Sequence, residues 1–393
     1  MEKYLPSSAL SEGILLFGTY LAYMMVADRT PLFPKIGKVF EWAPFAVLMS
    51  MVLIAGVATL TDMGDSQFLN RHQTNEWKGW MQLTILVYHY VGASKISVVY
   101  NFVRVSFTPK SNAQVLVASY IFMTGYGHFS YFYKKKDFGI KRVAKILLRL
   151  NLVTVAMSYT MDQPLTFYYF APLVSFWFLV IYFTMYIVSK YNQDTRLLLL
   201  KICFSMALIK LFIGSRTLIE GFFYLLETLF ALDSWNAKEA QFRLGLDQWV
   251  LFSGVFVAWF AIQFGSRAGA VPLGQIGLLD KLFSRPTAKP ESWRRIKLAA
   301  GTASIFAIGF FFLVDFTVSD KFAYNRVHPW LSLFPVLGYT VLRNYSDVSR
   351  RYNSRFWIWV GTFSLETFLL QVHESLLNRD LSNTICSIIS GWR

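Results

Sequence analysis

Long runs that are apolar on every side, separated by short polar connections, dominate this chain. A water-soluble helix hides one apolar stripe and wets the other face. Here whole segments of about 20 residues have no polar face, the length that a hydrocarbon layer ~30 Å thick demands of a helix. Candidate spans lie near residues 9–27, 44–60, 80–102, 113–132, 147–161, 165–189, 200–230, 246–264, 298–316, 328–342 and 356–376. The pattern predicts an all-α fold, a polytopic transmembrane helical bundle of about 10–11 spans facing the lipid bilayer, with one membrane-embedded domain over residues 1–393. The first apolar run lacks a basic leader and a small-residue cleavage site, so it reads as a retained span. The longest hydrophilic stretch is 265–297, and neither a repeat nor a low-complexity tract interrupts the pattern.

Composition sharpens this picture. Of 393 residues, 55% are hydrophobic and only 16% charged, with a net charge of +15. Such a basic balance invites nucleic acid as a partner, but the distribution of charge argues against it. With alternating spans, the connections at 1–8, 61–79, 133–149, 190–201, 265–297 and 343–355 hold 24 Lys and Arg, the opposite set holds 11, and Lys95, Lys210 and Arg216 fall inside spans. That asymmetry is what the positive-inside rule produces, placing the first set and the N-terminus in the cytosol. The Lys134–Lys136 run and the Arg294–Arg295 pair then face the cytosol, where they serve topology and anionic lipid or attract a polyanionic cofactor such as coenzyme A. Cys203 and Cys386 offer neither a disulfide framework nor a metal site. Asn344-Tyr345-Ser346 has the form of a glycosylation sequon, but its cytosolic assignment predicts that it stays unmodified.

Ionisable groups inside a bilayer are expensive, so each is a functional candidate or half of a pair. The crowded stretch Asn70–Gln82 opens the third span. Within it His72 and Glu76 are four apart and share a helical face, a spacing suited to a general base with a fixed tautomer, while Trp77 and Trp80 suit an interfacial anchor. One imidazole and one carboxylate fall short of the three protein ligands of a catalytic zinc, so no metal is expected. His89 sits nine residues past Trp80, ~13 Å along a helix and near the bilayer midplane, unless it only hydrogen-bonds across helices. His128 lies among aromatic residues near the cytosolic end of the fourth span. Arg216 and Glu220 are spaced to pair, in an apolar run too long for one straight helix, with Gly214 and Gly221 as candidate breaks. His328 and His373 fall on the lumenal side, suited to binding an acceptor or to capping.

These segments resemble a known family. Asp28-Arg29-Thr30, NRHQTNEWKGWMQ (70–82), YHYVGAS (88–94), GYGHFSYF (125–132), DFGIKRV (137–143), the MDQP and FYYFAPLVSFWF run (161–178), LRN (342–344) and FSLETFLLQVH (363–373) follow, in order, the multi-spanning acyltransferases of the fungal capsule O-acetylation type. That group includes the animal sialic acid O-acetyltransferase and the plant reduced-wall-acetylation proteins. The resemblance implies a Golgi or late-secretory membrane enzyme that takes acetyl from cytosolic acetyl-CoA and places it on a hydroxyl of a lumenal polysaccharide or glycan. Because coenzyme A does not cross a bilayer, polar residues inside the bundle must connect donor and acceptor.

In that scheme Arg71, Trp77, Lys78 and Lys95 contact the donor, with Lys78 on the phosphates and pantetheine. His89 or His72, with Glu76 and His128, supplies the base or transient acyl carrier, and His328 and His373 meet the acceptor. Many relatives carry a separate lumenal Ser-Gly-Asn-His esterase-like domain, for which this sequence has no counterpart. Gly64-Asp65-Ser66 imitates its nucleophile block, but no Asp-x-x-His completes a triad. The chain stops twenty residues after His373, where relatives continue, and so reads as a shortened member or an incomplete gene model. Alternatives are an acetyl-translocating subunit that supplies a separate lumenal esterase-like transferase, and a non-catalytic, transporter-like member.

Overall fold

The computed structural model describes residues 8–30, 40–93, 115–163, 168–230, 237–266, 290–318 and 321–369. Among these residues, fourteen α-helices and one two-stranded ribbon are present. The helices are α1 (Ser8–Arg29), α2 (Trp42–Ala58), α3 (Arg71–Tyr90), α4 (Val115–Lys135), α5 (Ile140–Met161), α6 (Phe170–Tyr186), α7 (Thr195–Gly214), α8 (Arg216–Phe230), α9 (Ala237–Ser266), α10 (Pro290–Thr317), α11 (Lys321–Leu331), α12 (Leu333–Arg343), α13 (Asp347–Arg351) and α14 (Arg355–Thr362). Four stretches, Ile140–Met161, Thr195–Gly214, Ala237–Gln263 and Arg294–Thr317, are long and apolar enough to cross a membrane, and Ser11–Val26, Trp42–Ala58 and Phe170–Tyr186 are shorter apolar helices. The architecture is an all-α membrane bundle.

Glycine sets its closest approaches. A Cβ on Gly125 of α4 would overlap the carbonyl of Leu251, and one on Gly254 of α9 would overlap that of Phe122, so the α4–α9 seam closes backbone to backbone. Likewise Gly79 of α3 lies under the Trp357 carbonyl and Gly361 of α14 under that of Asn75. Larger side chains fill the core beside these seams, with Trp77, Phe122, Phe129, Trp177 and Phe178 all but sealed from solvent.

Helix boundaries depart from the apolar runs in four places. The third span begins nine residues early, because Asn70 caps α3 by accepting from the Gln73 N–H at 2.8 Å. The crowded polar stretch is therefore the first half of the helix, and His89 lies in its last turn. The run 200–230 breaks at Ser215, beside Gly214, while Gly221 continues within α8. The run 246–264 starts earlier, at Ala237, so that α9 carries buried Arg243 and Asp247. The run 328–342 is preceded by α11 and broken between Leu331 and Leu333, shortly after Pro329, which has no N–H to donate to the preceding turn.

The nominal loop 343–355 folds back into the bundle. Strand β1 (Leu60–Asp62) pairs antiparallel with β2 (Tyr352–Ser354), Thr61 opposite Asn353, and Met63 and Arg355 extend the pairing through hydrogen bonds to Arg351 and Thr59. This ribbon ties the end of α2 to the start of α14.

Candidate functional site

Three faces of α3 meet three different surroundings. On the first, Glu76 is buried and its Oε2 accepts from Arg343 Nη2 at 2.6 Å, while Oε1 accepts from the Ser354 N–H at 3.1 Å. The same Arg343 nitrogen donates to Asn353 Oδ1 at 2.8 Å and to the Tyr352 carbonyl at 2.9 Å. Around this pair, Asn344 Oδ1 accepts from the Leu69 N–H, Asn344 Nδ2 donates to the Thr340 carbonyl, and Asn70 Nδ2 donates to the carbonyls of Asp65 and Arg350. Both ends of the Asn344 amide are thus engaged in the interior. Gly64-Asp65-Ser66 serves the same clamp as a turn, with Asp65 Oδ1 accepting from the Gln67 N–H.

Aromatic side chains seal this clamp towards the bundle. Trp77 lies 4.5 Å from the Tyr339 ring and 5.8 Å from Phe122, ring centre to ring centre, and Trp80 Nε1 donates to the Tyr339 hydroxyl. At 2% exposure Trp77 is a core residue of the α3–α4–α12 contact.

Lys78 occupies the second face, towards α4 and α5. Its charge is felt by His128 and it lies close to Arg149 and Arg71, while Arg142 also acts on His128. Arg142 stacks 3.3 Å above the Tyr131 ring, and Tyr131 donates to Asp137. The Gly139 N–H, then the Tyr131 hydroxyl, hold the Asp137 carboxyl below its ordinary range. His128 packs edge-on against Phe178, with ring centres 4.7 Å apart. A half-buried imidazole of α4 thus has cations of α3 and α5, Lys78 and Arg142, beside it, with Arg71 and Arg149 next to Lys78, a setting that favours a bound polyanion. The third face, Asn75 and Gly79, is closed by α14.

The histidines expected to cooperate do not share one place. His72 and His89 stand seventeen residues apart on α3, ~26 Å along its axis, so a single acetyl group cannot meet both without travelling. His128 joins the Lys78 end, His89 packs against Tyr88 at the opposite end, and His328 is fully buried on α11. Lys95 and His373 lie outside the described residues. Sequence reasoning missed Arg343, Asn353, Arg142 and Arg149. Arg343 and Asn353 sat in a segment whose polarity marked it as a solvated loop, Arg149 was counted only as a topology charge, and Arg142 and Arg343 stood in matched motifs without a role of their own. Among the described residues, no three His, Cys, Asp or Glu side chains gather as a metal site.

A bundle of apolar helices with Lys78, Arg142 and His128 grouped at one end is a membrane protein that carries ionisable groups among its helices. Residues 4–393 match the family described as the 10 TM acyl transferase domain found in Cas1p, and the chain belongs to that family. Over 363 residues it is 36% identical to the N-acetylneuraminate (7)9-O-acetyltransferase of Danio rerio, covering 90% of this chain and 43% of that protein. The chain thus spans less than half the length of that curated relative. No solved structure matches it.

Proposed function

We propose that this protein moves acetyl from cytosolic acetyl-CoA to hydroxyls of a lumenal glycan, as a multi-pass protein of the Golgi or late secretory pathway with a cytosolic N-terminus. The single observation that carries this reading is the grouping of Lys78 and Arg142 beside His128, with Arg71 and Arg149 next to Lys78. By the charge asymmetry of the connections it lies at the cytosolic end, where a coenzyme A thioester is available. The four cations take the phosphates of the donor, and His128, rather than His72 or His89, faces the thioester. Glu76 acts as a positioning residue. Its two oxygens are engaged by Arg343 and Ser354, so it holds α3 in place and leaves the proton chemistry to imidazole.

A second reading, in which the chain delivers acetyl to a separate esterase-like transferase, is motivated by the relative's name applying to a protein more than twice the matched length. Purified protein in sealed vesicles, given labelled acetyl-CoA outside and acceptor glycan inside, separates the two. Label on glycan without a partner supports the first, and label that crosses but awaits an added transferase supports the second. Lys78→Ala should raise the KM for acetyl-CoA at least tenfold, and His128→Ala should lower kcat by 10²-fold or more. Undiminished transfer by both variants would remove this cluster from the reaction.

A further inference from the structure

The end of the bundle away from Lys78 carries a second polar group of a different kind. Tyr324, His328 and Ser332 recur every four residues, one above another on a single face of the broken α11–α12 helix, and all three are sealed from solvent. The Tyr324 and His328 rings are 5.8 Å apart, and Asp315 lies close enough for its charge to act on the Tyr324 hydroxyl. Among the described residues, no protein group hydrogen-bonds the Tyr324 hydroxyl, either His328 ring nitrogen or the Ser332 hydroxyl. Four orphaned polar atoms within two helical turns are costly to bury, because polar atoms inside a protein are almost always paired. Their position is telling too, since breaks in membrane helices expose the backbone and side chains that bind substrates.

We propose that Tyr324, His328 and Ser332 form a hydroxyl-binding site, and that His328 takes the proton from the alcohol bound there. A neutral imidazole presents one donor and one acceptor, and the two flanking hydroxyls present both. The matching ligand offers donors and acceptors side by side without net charge, which is the edge of a sugar bearing neighbouring hydroxyls. Next to it, Trp330 of α11, 57% exposed, stacks on Trp249 of α9 at 4.9 Å, an aromatic surface at the rim. This inference rests on the acetyl-transfer reading above and adds the group that activates the acceptor. In the step, the alcohol O–H breaks and its proton passes to an imidazole nitrogen. Once the thioester, on its long pantetheine arm, has advanced from the His128 end, the oxygen pair forms the ester bond to the acetyl carbonyl carbon, the thioester C–S bond breaks with its electron pair on sulfur, and the proton is returned to that thiolate.

The test compares wild-type protein with His328→Leu, Tyr324→Phe and Ser332→Ala in nanodiscs, scoring acetyl transfer, labelled acetyl-CoA binding and thermal unfolding with and without maltotriose. His328→Leu should lose transfer by 10²-fold or more while binding acetyl-CoA as tightly as wild type. It should also unfold at a temperature several degrees higher, because an unpaired buried imidazole is a cost that binding sites carry and structural sites do not. Maltotriose should raise the unfolding temperature of wild type and lose that effect in all three variants. Transfer within threefold of wild type in His328→Leu, or a lower unfolding temperature, would overturn the proposal. Should no protein transfer acetyl while maltotriose still protects wild type and not His328→Leu, the hydroxyl site stands and the acetyl reading falls.

Discussion

The two polar regions of this bundle are opposites. Around Glu76 and Arg343 every charged oxygen and several backbone groups have partners, drawn from α3, α12 and the ribbon. Around His328, three side chains equally deep in the protein have none among the described residues. Glu76 and His328 are both buried, at 4% and 0% exposure, so what differs between these two groups is satisfaction. A closed hydrogen-bond network specifies a packing arrangement, whereas an open one keeps its donors and acceptors for a ligand. The comparison divides structural from chemical roles in a chain whose family relationship names only the overall reaction class.

The strongest way to break this division is to open the closed network. Glu76→Ala leaves the Arg343 guanidinium, with 15% of its side chain exposed, without its counter-charge and strips the Ser354 N–H of its acceptor. Removing one partner of such a buried pair costs about 3–5 kcal/mol. The expected result is a sharp drop in folded protein on detergent extraction, with the Glu76→Ala, Arg343→Met double variant recovering part of the loss. A folded Glu76→Ala protein that lacks only catalysis would instead make Glu76 a catalytic group.

The glycine seams come next. Gly125→Ala and Gly254→Ala each place a methyl group on a backbone carbonyl of the facing helix, so α4 and α9 must move apart. About 1–3 kcal/mol is the usual cost of such overpacking. Gly127→Ala, two residues from Gly125 and meeting nothing within 4 Å, is the matched control and should change the unfolding temperature little.

These particulars show what a reader of the sequence can and cannot obtain. Apolar runs declare the helices because the bilayer forbids polar faces, and the Arg216–Glu220 pair and the break beside Gly214 follow from spacing alone. The Glu76–Arg343 contact joins residues 267 apart in sequence, and no local periodicity carries that information. The start of α3 was legible in principle, since Asn70 is a good cap, but hydropathy weighted the apolar half of the helix. Sequence singled out His328 for its place on the lumenal side, yet its lack of partners among the described residues emerges only once its neighbours are in place.

A smaller effect is expected at the ribbon. The Gly64 N–H, with the Arg351 guanidinium assisting against some burial, holds the Asp62 carboxyl below its ordinary value. A depressed carboxyl contributes stability above the unfolded value near ~4, and that contribution is lost as pH falls through the folded value. Hydrogen exchange at Thr61 and Asn353 should therefore quicken relative to the rest of the bundle below about pH 4. In Asp62→Asn this additional acid sensitivity should vanish, and if it persists another group fastens the ribbon.

The smallest effect separates an ion pair at the surface from the buried one. Arg216 Nε donates to Glu220 Oε1 at 2.6 Å, closer than many buried pairs, yet their side chains are 75% and 48% exposed. With twenty residues, α7 reaches ~30 Å, enough to cross the hydrocarbon layer, so Ser215 and Arg216 emerge where water is available. Beyond the break, α8 turns Ile219 and Phe223 onto Ala240 of α9 and leaves the charged pair outside. Screening by water and salt leaves such a pair worth about 0–0.5 kcal/mol. Arg216→Gln should thus leave the unfolding temperature and acetyl transfer within error of wild type, at low and high salt alike. A loss comparable to that of Glu76→Ala would place Arg216 in the hydrocarbon, and α8 would then have to be a membrane-crossing element in its own right.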